Sequence, residues 1–257
     1  DPFGAMIAEH MSASHVSTAF AVRSARNTTL AFVHLDEGQA TYTFYDEDTA
    51  TRAIQPDDID PVPSDIEAMF FGGISLCNPP VADSLLTLAL AQPERRLVMA
   101  DPNIRPSFVS DHEGYRARLN ALIARADIIK LSDDDLNWVI PGEASLEDKA
   151  KEILTRGPKM FLLTEGGDGA TAYLQSGRHL HVPAQKATVV DTVGAGDTFN
   201  AGCLAALRSE GALHPGALAD LPESTLHHML TVAARAAAIT VSRAGANPPW
   251  TMELNDD

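Results

Sequence analysis

The chain has 257 residues, of which 45% are hydrophobic and 21% charged, and these fractions are typical of a folded globular protein rather than a disordered or coiled-coil one. Its 35 acidic and 19 basic residues give a net charge of −16, which argues against nucleic acid and membrane surfaces as partners. Apolar runs such as 66–75 are too short to span a bilayer. Cys77 and Cys203 have no disulfide or metal-site spacing, and no export signal is visible, so we expect a cytoplasmic protein.

The first predicted elements are two strands, 29–35 and 41–45, on either side of the turn Asp36-Glu37-Gly38. From about residue 66, apolar segments of strand and helix type alternate along the chain. Strands are predicted at 66–71, 97–100, 127–131 and 160–164, and helices at 79–91, at about 115–126, and around Leu136 and Ile153. This alternation favours right-handed crossovers and a mostly parallel sheet that is covered by helices on both faces.

The last third of the chain begins with two short strand candidates, 170–175 and 179–182, around the turn Ser176-Gly177. Helices are predicted at 197–209 and at about 224–242. The sequence shows no internal repeat, low-complexity tract or linker. We therefore expect a single α/β domain over residues 1–257, with a small β excursion within about 18–55.

The most informative segment is 191–202, which reads DTVGAGDTFNAG. Gly194, Ala195 and Gly196 have no side chains that would block a ligand, and they lead into a predicted helix whose first amides and dipole favour an anion. Asp197 stands where a carboxylate can accept a proton from a hydroxyl that attacks a phosphoryl group. Without further context, the same residues are also typical of a turn and a capped helix start.

Other phosphate-binding motifs are excluded by the sequence itself. The chain contains no Gly-Lys dipeptide, and therefore no Walker A loop. Phe199 stands where a dinucleotide fingerprint has its third glycine.

Segment 191–202 resembles the C-terminal signature of the PfkB/ribokinase family of carbohydrate kinases, and the resemblance extends from Phe3 to Trp250. Segments 101–106 (DPNIRP) and 130–136 (KLSDDDL) resemble the bacterial fructokinase and 2-keto-3-deoxygluconate kinase branch. The resemblance implies a ribokinase-like α/β fold, in which a mostly parallel central sheet is flanked by helices and carries a small β lid. It also implies an ATP-dependent kinase that phosphorylates a primary hydroxyl of a small sugar, with fructose as the first expectation.

The resemblance assigns a role to each candidate residue. It makes Asp197 the catalytic base and the amides of Gly194, Ala195 and Gly196 the anion hole. The nucleotide-binding candidates are Thr164, Gly166, Gly169, Lys130, Arg105, Gly245 and Asn247. The sugar-binding candidates are Asn103, Arg105, Asp197, Arg23 and Tyr42, the last of these on the lid. Arg105 also follows a predicted strand, at the end where open α/β sheets bind ligands, although a surface or helix-capping arginine is the alternative.

Two metal sites are implied in the same way. Ser132 and Asp135 stand where the family has asparagine and glutamate, and Asp135 becomes a Mg²⁺ residue that acts through water. Ser132 is also predicted to cap a helix with three acids in its first turn. A K⁺ site is implied at the Asp191 carboxylate and the carbonyls of Val193, Thr240, Arg243 and Gly245. The alternative is that Asp191 only accepts a hydrogen bond from a nearby amide.

The start of the chain departs from the family, because an opening strand with an early aspartate and a Gly-Gly-x-x-x-Asn segment are both missing. We expect at least one βαβ unit of ~30 or more residues to be absent, and the chain to be part of a longer protein. The alternatives that stay open are a 2-keto-3-deoxygluconate kinase, a nucleoside kinase and a non-catalytic sugar- or nucleotide-binding homologue. Aromatic residues on the lid strands are explained equally well by sugar binding or by a homodimer contact.

Overall fold

The computed structural model describes residues 1–36 and 39–254, and for 34–36 and 39–42 it describes the backbone alone. The chain opens with helix α1 (Pro2–Ala13), which Asp1 caps and which the sequence did not predict. The antiparallel strands β1 (Leu30–Asp36) and β2 (Gln39–Tyr45) follow, and form a separate two-stranded sheet. Both strands were predicted, while Glu37 and Gly38 of the predicted turn lie outside the described residues.

The main sheet has six strands in the order of the chain. Its strands are β3 (Ala68–Gly72), β4 (Leu97–Asp101), β5 (Ile128–Ser132), β6 (Met160–Thr164), β7 (Ala170–Leu174) and β8 (His179–Val182). Strands β3 to β6 are parallel to one another, and β7 and β8 continue the sheet in antiparallel pairs. The expected mostly parallel sheet is therefore confirmed.

Helices cover both faces of this sheet, so the fold has three layers. The helices after α1 are α2 (Val81–Leu90), α3 (His112–Arg125), α4 (Asp133–Val139), α5 (Leu146–Thr155), α6 (Ala195–Ser209), α7 (Pro215–Leu218) and α8 (Glu223–Val241). Along β4, Val98 and Ala100 enter one hydrophobic core, and Leu97 and Met99 enter the other, as the period of two requires. Among the described residues, no helix is both long and apolar enough to cross a membrane.

Helices α6 and α8 lie on the same face and approach each other closely. A side-chain carbon added at Gly202 on α6 would lie 2.7 Å from the Cα of Ala233 on α8, so the contact has room only for glycine. Near the start of α6, the Thr240 hydroxyl of α8 donates to the Thr198 hydroxyl at 3.1 Å. These contacts fix the amino end of α6 against the end of α8.

The two cysteines are free and buried. Burial raises the pKa of Cys77 to about 11 and also raises the pKa of Cys203, because an apolar surrounding disfavours the thiolate. Both thiols are therefore protonated at neutral pH and serve as core side chains.

The Tyr115 hydroxyl on α3 provides a test of the core. The side chain is 1% exposed and packs on Trp138, yet its hydroxyl has no hydrogen-bond partner among the described residues. A buried unpaired hydroxyl costs about 1–3 kcal/mol. We expect Tyr115→Phe to leave the free energy of unfolding unchanged or to raise it by up to about 1 kcal/mol in thermal melts. Tyr115→Ala, which also removes the ring, should lose about 3–5 kcal/mol. A clear loss of stability in Tyr115→Phe would contradict the structure at this position.

Candidate active site

Most of the candidate residues lie at one edge of the sheet. Asp101, Ser132 and Thr164 are the last residues of β4, β5 and β6, and parallel strands end at a common edge. Helix α6 begins at this edge, since Gly196 in its first turn lies close to Asp101. In open α/β sheets, ligands bind outside the carboxyl ends of the strands. The fold thus places the 191–202 motif where the sequence predicted a ligand.

Residues 194–197, which we call the anion loop, present free backbone amides at the start of α6. Gly194 caps the helix with a φ of +80°, and a side chain there would meet the Ala246 Cβ at 2.9 Å, so glycine is required. The Ala195 amide donates to the Thr192 carbonyl at 3.3 Å. The amides of Gly194, Gly196 and Asp197 have no acceptor among the described residues. Together with the helix dipole, they can bind an anion. The Ala195 amide, which was predicted to join the anion hole, is thus used within the loop, and the first helical amides were expected to contribute.

Asp197 lies in the first turn of α6 and remains accessible to solvent from the open site. The surrounding loop and strand ends displace part of its hydration, and this partial burial raises its pKa above the usual aspartate value. The Asp101 carboxylate raises the pKa further, and the Lys130 ammonium opposes this with a smaller effect. A carboxylate with increased proton affinity, next to free amides, has the properties of a general base for phosphoryl transfer.

A buried polar cluster lies directly beneath the anion loop. Asp101 Oδ2 accepts from Lys130 Nζ at 3.1 Å and from Asn200 Nδ2 at 2.8 Å, and Asp101 Oδ1 accepts from the Asn103 amide at 3.2 Å. A carbon added at Gly196 would lie 3.4 Å from Lys130 Nζ, so the ammonium directly faces the loop. Lys130 was predicted from the sequence, whereas Asp101 and Asn200 had no predicted role. The helical spacing of Asn200, three residues after Asp197, was the available signal.

Asn103 and Arg105 follow β4 at the same edge. Asn103 is half-buried and has a φ of +44°, a conformation that asparagine tolerates better than most residues. The half-buried Arg105 donates from Nη1 to the Ile104 carbonyl at 3.0 Å. The structure describes no contact between Arg105 and Lys130 or the anion loop. Asn103 is therefore brought to the site through Asp101, and Arg105 lies beside it.

Asp135 is buried and has three protein donors. Ser132 caps α4 as predicted, and its amide and hydroxyl donate to Asp135 Oδ2 at 3.1 and 2.8 Å. The Ile104 amide donates to Asp135 Oδ1 at 2.9 Å. A water-mediated contact with Mg²⁺ would use a remaining lone pair of this carboxylate. In the part of the chain that the structure describes, no three His, Cys, Asp or Glu side chains form a metal-binding cluster. A single carboxylate is compatible with Mg²⁺ that keeps several waters and binds substrate phosphates.

Thr164, Gly166 and Gly169 surround a 3-10 turn, Gly166–Asp168, that follows β6. A side chain at Gly169 would come within 2.2 Å of the Val182 carbonyl oxygen, so close packing on β8 explains this glycine. A side chain at Gly166 would have no atom within 4 Å, which leaves this side of the turn open to a ligand. The half-buried Thr164 lies at the same edge as Asp101.

The Asp191 carboxylate joins two loops at the ends of α6 and α8. It accepts from the Val193 amide at 3.0 Å and from the Gly245 amide at 2.9 Å. These two hydrogen bonds hold the pKa of Asp191 below its usual value. Asp191 therefore accepts hydrogen bonds from nearby amides, as the alternative interpretation predicted. Its remaining lone pairs are compatible with a cation.

The other members of the K⁺ prediction surround the same loops. The Thr240 carbonyl accepts from the Arg243 amide at 3.1 Å, and the Gly245 carbonyl accepts from the Asn247 amide at 2.9 Å. The Arg243 side chain pairs with Glu253, so that only its carbonyl remains available. Backbone carbonyls of this kind are suitable oxygen donors for a monovalent cation.

Arg23 and Tyr42 are the two candidates that the structure does not connect to the site. Arg23 is exposed in the segment between α1 and β1. The Tyr42 backbone pairs with Val33, but its side chain lies outside the described part of the chain.

Comparisons with known proteins identify a family and similar structures. Residues 1–252 match the model of the pfkB family carbohydrate kinases. A fructokinase from Rhizobium leguminosarum bv. trifolii is 40% identical over 229 residues, which cover 89% of this chain and 69% of that protein. The fructokinase of Xylella fastidiosa with bound ATP is 25% identical, with a TM-score of 0.85, over 96% of this chain and 77% of the other. The fructokinase of Vibrio cholerae O395 with fructose, ADP and calcium is 24% identical, with a TM-score of 0.81, over 96% and 78%.

The curated relatives are longer than this chain. The chain spans 69%, 64% and 69% of the length of three fructokinases that it matches.

Gly196 separates a phosphate-binding loop from a simple helix start. Its φ is not positive, and an added methyl would make ordinary contact with Lys130 Nζ at 3.4 Å. Because alanine is the better helix former by up to about 1 kcal/mol, we expect Gly196→Ala to melt no lower than the parent. The methyl would stand between the ammonium and the loop, so phosphoryl transfer should fall by about 10²-fold.

Gly194→Ala is the matched control, since the same added methyl there meets a strained φ and the Ala246 Cβ. It should lower both the melting temperature and the rate. Full turnover by a well-folded Gly196→Ala protein would count against a phosphate site at this loop.

Proposed function

Because the chain belongs to the pfkB family of carbohydrate kinases, we propose that it transfers the γ-phosphoryl group of ATP to a primary hydroxyl of fructose. The observation that carries this proposal is the position of Asp197. Its carboxylate lies in the first turn of α6, next to backbone amides that have no acceptor among the described residues. A proton acceptor and an anion site are thereby adjacent, as transfer of a phosphoryl group to a hydroxyl requires.

Each residue of the site has a distinct role in this reaction. Asp197 accepts the hydroxyl proton while the sugar oxygen attacks phosphorus. The amides of Gly196 and Asp197 donate to the phosphoryl oxygens, and the Lys130 ammonium adds positive charge beneath them. ATP supplies the phosphoryl group and leaves as ADP, and a Mg²⁺ ion held through water by Asp135 would neutralise part of the phosphate charge.

The cofactor sites extend this proposal. Support for ATP comes from the ATP-bound Xylella fructokinase, and support for metal ions from the calcium-bound Vibrio fructokinase. We assign the nucleotide to the edge formed by Thr164, Gly166, Gly169, Lys130, Arg105, Gly245 and Asn247. Mg²⁺ would be held indirectly by Asp135, and K⁺ by Asp191 with the carbonyls of Val193, Thr240, Arg243 and Gly245.

The sugar is proposed to lie near Asn103, Arg105 and Asp197, with Arg23 and Tyr42 as further candidates. Fructose is supported by the printed names of the relatives, in particular the 40% identical fructokinase. A 2-keto-3-deoxygluconate kinase would need a cationic anchor for the acid group. Lys130 is paired with Asp101, whereas Arg105 keeps free donors and is the residue that such an anchor would require, so the preference for fructose rests on the relatives.

A coupled assay of ADP release tests the proposal. Fructose, ribose, 2-keto-3-deoxygluconate and adenosine are compared as acceptors, and fructose should give the highest kcat/KM.

Asp197→Asn keeps the shape of the side chain but removes the proton acceptor, so kcat should fall by roughly 10²–10⁴-fold. ATP affinity should change little, because the amides remain. Turnover within a few-fold of the parent would show that Asp197 is not the base.

The pH dependence follows from the raised pKa of Asp197. The base is active when deprotonated, so kcat/KM should be constant at high pH and fall as pH decreases through the pKa of the folded enzyme. We expect this acidic limb above the usual aspartate value of about 3.9.

A homodimer through the β1–β2 sheet is a further part of the proposal. Phe44 on one face of this sheet packs on Phe108, with ring centroids 4.7 Å apart. On the other face, Phe32 and Tyr45 contact each other and are 51% and 59% exposed. Exposed apolar pairs of this kind suit a partner surface. Light scattering should give twice the monomer mass for the parent, and the monomer mass for the double variant Phe32→Ser/Tyr45→Ser.

We propose the cytoplasm as the location of the protein, because its two cysteines are buried and free.

A further inference from the structure

The cluster of Asp101, Lys130 and Asn200 beneath the anion loop is more deeply buried than the residues above it. The three residues are 3%, 5% and 1% exposed, whereas Asp197 is open to solvent. They come from β4, β5 and α6, three elements that the chain brings together only by folding. The proposed reaction uses the Lys130 charge but leaves the two partners without a role.

The Asp101 carboxylate is the centre of this cluster. One oxygen, Oδ2, accepts from both Lys130 Nζ and Asn200 Nδ2, at 3.1 and 2.8 Å. Asn200 follows Asp197 by one helical turn, so its hydrogen bond fixes the rotation of the helix start that carries the base. The same carboxylate holds the ammonium 3.4 Å from the position of a carbon at Gly196.

Asn200 lowers the stability of the fold in one respect. Its Oδ1 atom is buried and has no donor among the described residues. A leucine has the same branched shape and would leave no unpaired oxygen at this position. Helix packing alone therefore gives no reason for an amide here, whereas its hydrogen bond to Asp101 does.

We infer that Asp101 and Asn200 are positioning residues for phosphoryl transfer, which together hold the Lys130 ammonium and the Asp197 carboxylate toward the same phosphoryl group. Asp101 fixes the ammonium beneath the anion loop, and Asn200 fixes the first turn of α6 above the end of β4. This inference rests on the proposed kinase function.

Two charged groups act on the Asp197 carboxyl from the elements around it, Asp101 on β4 and Lys130 on β5. In the loop before α6, the Asp191 carboxylate is engaged by the Val193 and Gly245 amides. On α6 itself, the buried Cys203 thiol is protonated because burial raises its pKa, and the next charged side chain is Arg208, three turns away. The Asp101 charge raises the Asp197 pKa more than the Lys130 charge lowers it. Loss of the Asp101 charge should therefore lower this pKa, whether Lys130 stays charged or becomes neutral.

Asp101→Asn tests the role of the carboxylate, and Asp127→Asn is its matched control. Asp127 is also a buried aspartate that binds a lysine, Lys159 at 2.9 Å, and a backbone amide, that of Val98 at 3.0 Å. It immediately precedes β5 and so lies at the opposite edge of the sheet. Both variants should lose stability, which thermal melts will show.

We expect kcat to fall by at least about 10-fold in Asp101→Asn, with the sugar KM within about 3-fold of the parent. The acidic limb of kcat/KM should move to lower pH in this variant. Asp127→Asn should keep the kcat and the limb of the parent. An unmoved limb in Asp101→Asn, or an equal effect of Asp127→Asn, would overturn the inference.

Asn200→Leu tests the amide and covers the case in which Asp101→Asn does not fold. It removes both the donor and the unpaired oxygen, but it also takes a donor from the buried Asp101 carboxylate and places a larger side chain in a packed site, so the melting temperature should fall. The kcat of the folded protein should fall by at least about 10-fold. A folded Asn200→Leu protein with the kcat of the parent would refute the positioning role of Asn200.

An NMR titration of the Asp197 carboxyl carbon separates this inference from the proposed function, since it needs no turnover. The pKa should be above the usual value in the parent, lower in Asp101→Asn, and as in the parent in Asp127→Asn. If no sugar is phosphorylated but the pKa moves in this way, the proposed function fails and the coupling of Asp101 to Asp197 remains. If fructose is phosphorylated and the pKa does not move, the positioning inference fails alone.

Discussion

A buried carboxylate can stay charged only where cations or hydrogen-bond donors replace the water it has lost. Asp101 meets this requirement with the Lys130 ammonium, the Asn200 amide and the backbone amide of Asn103. The donors come from β5, from α6 and from the turn after β4. Since each is needed to satisfy the same charge, these three parts of the fold cannot shift independently. This constraint fixes the end of the candidate site that lies over the sheet.

The other end of the site is held by contacts between α6, α8 and their loops. Thr240 binds Thr198, and Asp191 binds the amides of Val193 and Gly245. These bonds satisfy groups around the anion loop without using the amides of Gly196 and Asp197. The loop is therefore held by its neighbours while these amides have no acceptor among the described residues, and a bound anion can supply one.

Much of the fold could be predicted from the sequence, because its buried strands are short apolar runs bounded by turn residues. The bounds of β6 and β8, 160–164 and 179–182, agree with the structure. Helix α1 was not predicted, although Phe3, Ile7 and Met11 recur at helical spacing. None of its residues is buried, and the Asp1 carboxylate caps its first turn and accepts from Thr28 before β1.

The anion loop and its base were recognisable because they are continuous in the sequence. The cluster beneath them was not, since Asp101 and Asn200 are 99 positions apart and neither belongs to a motif with an evident charge partner. The three acids after Ser132 show the same limit. Their pattern indicates a helix start, and only the fold shows that Asp135 turns back to bind the Ile104 amide.

The candidate site has to attract an anion although the whole chain has a net charge of −16. At physiological ionic strength, screening weakens the interaction between exposed charges that are more than about 8 Å apart, so the groups near the loop decide whether a phosphate binds. The nearest cation, Lys130, is largely neutralised by Asp101. The attraction for an anion therefore depends on the free amides and the helix dipole, while the ammonium contributes mainly through its fixed position. An unpaired lysine would give a stronger field, but it would lose either its charge or its place in a buried site. The ion pair with Asp101 therefore weakens the electric field of Lys130 but fixes the position of its ammonium. Phosphoryl transfer depends on the correct position of the reacting groups.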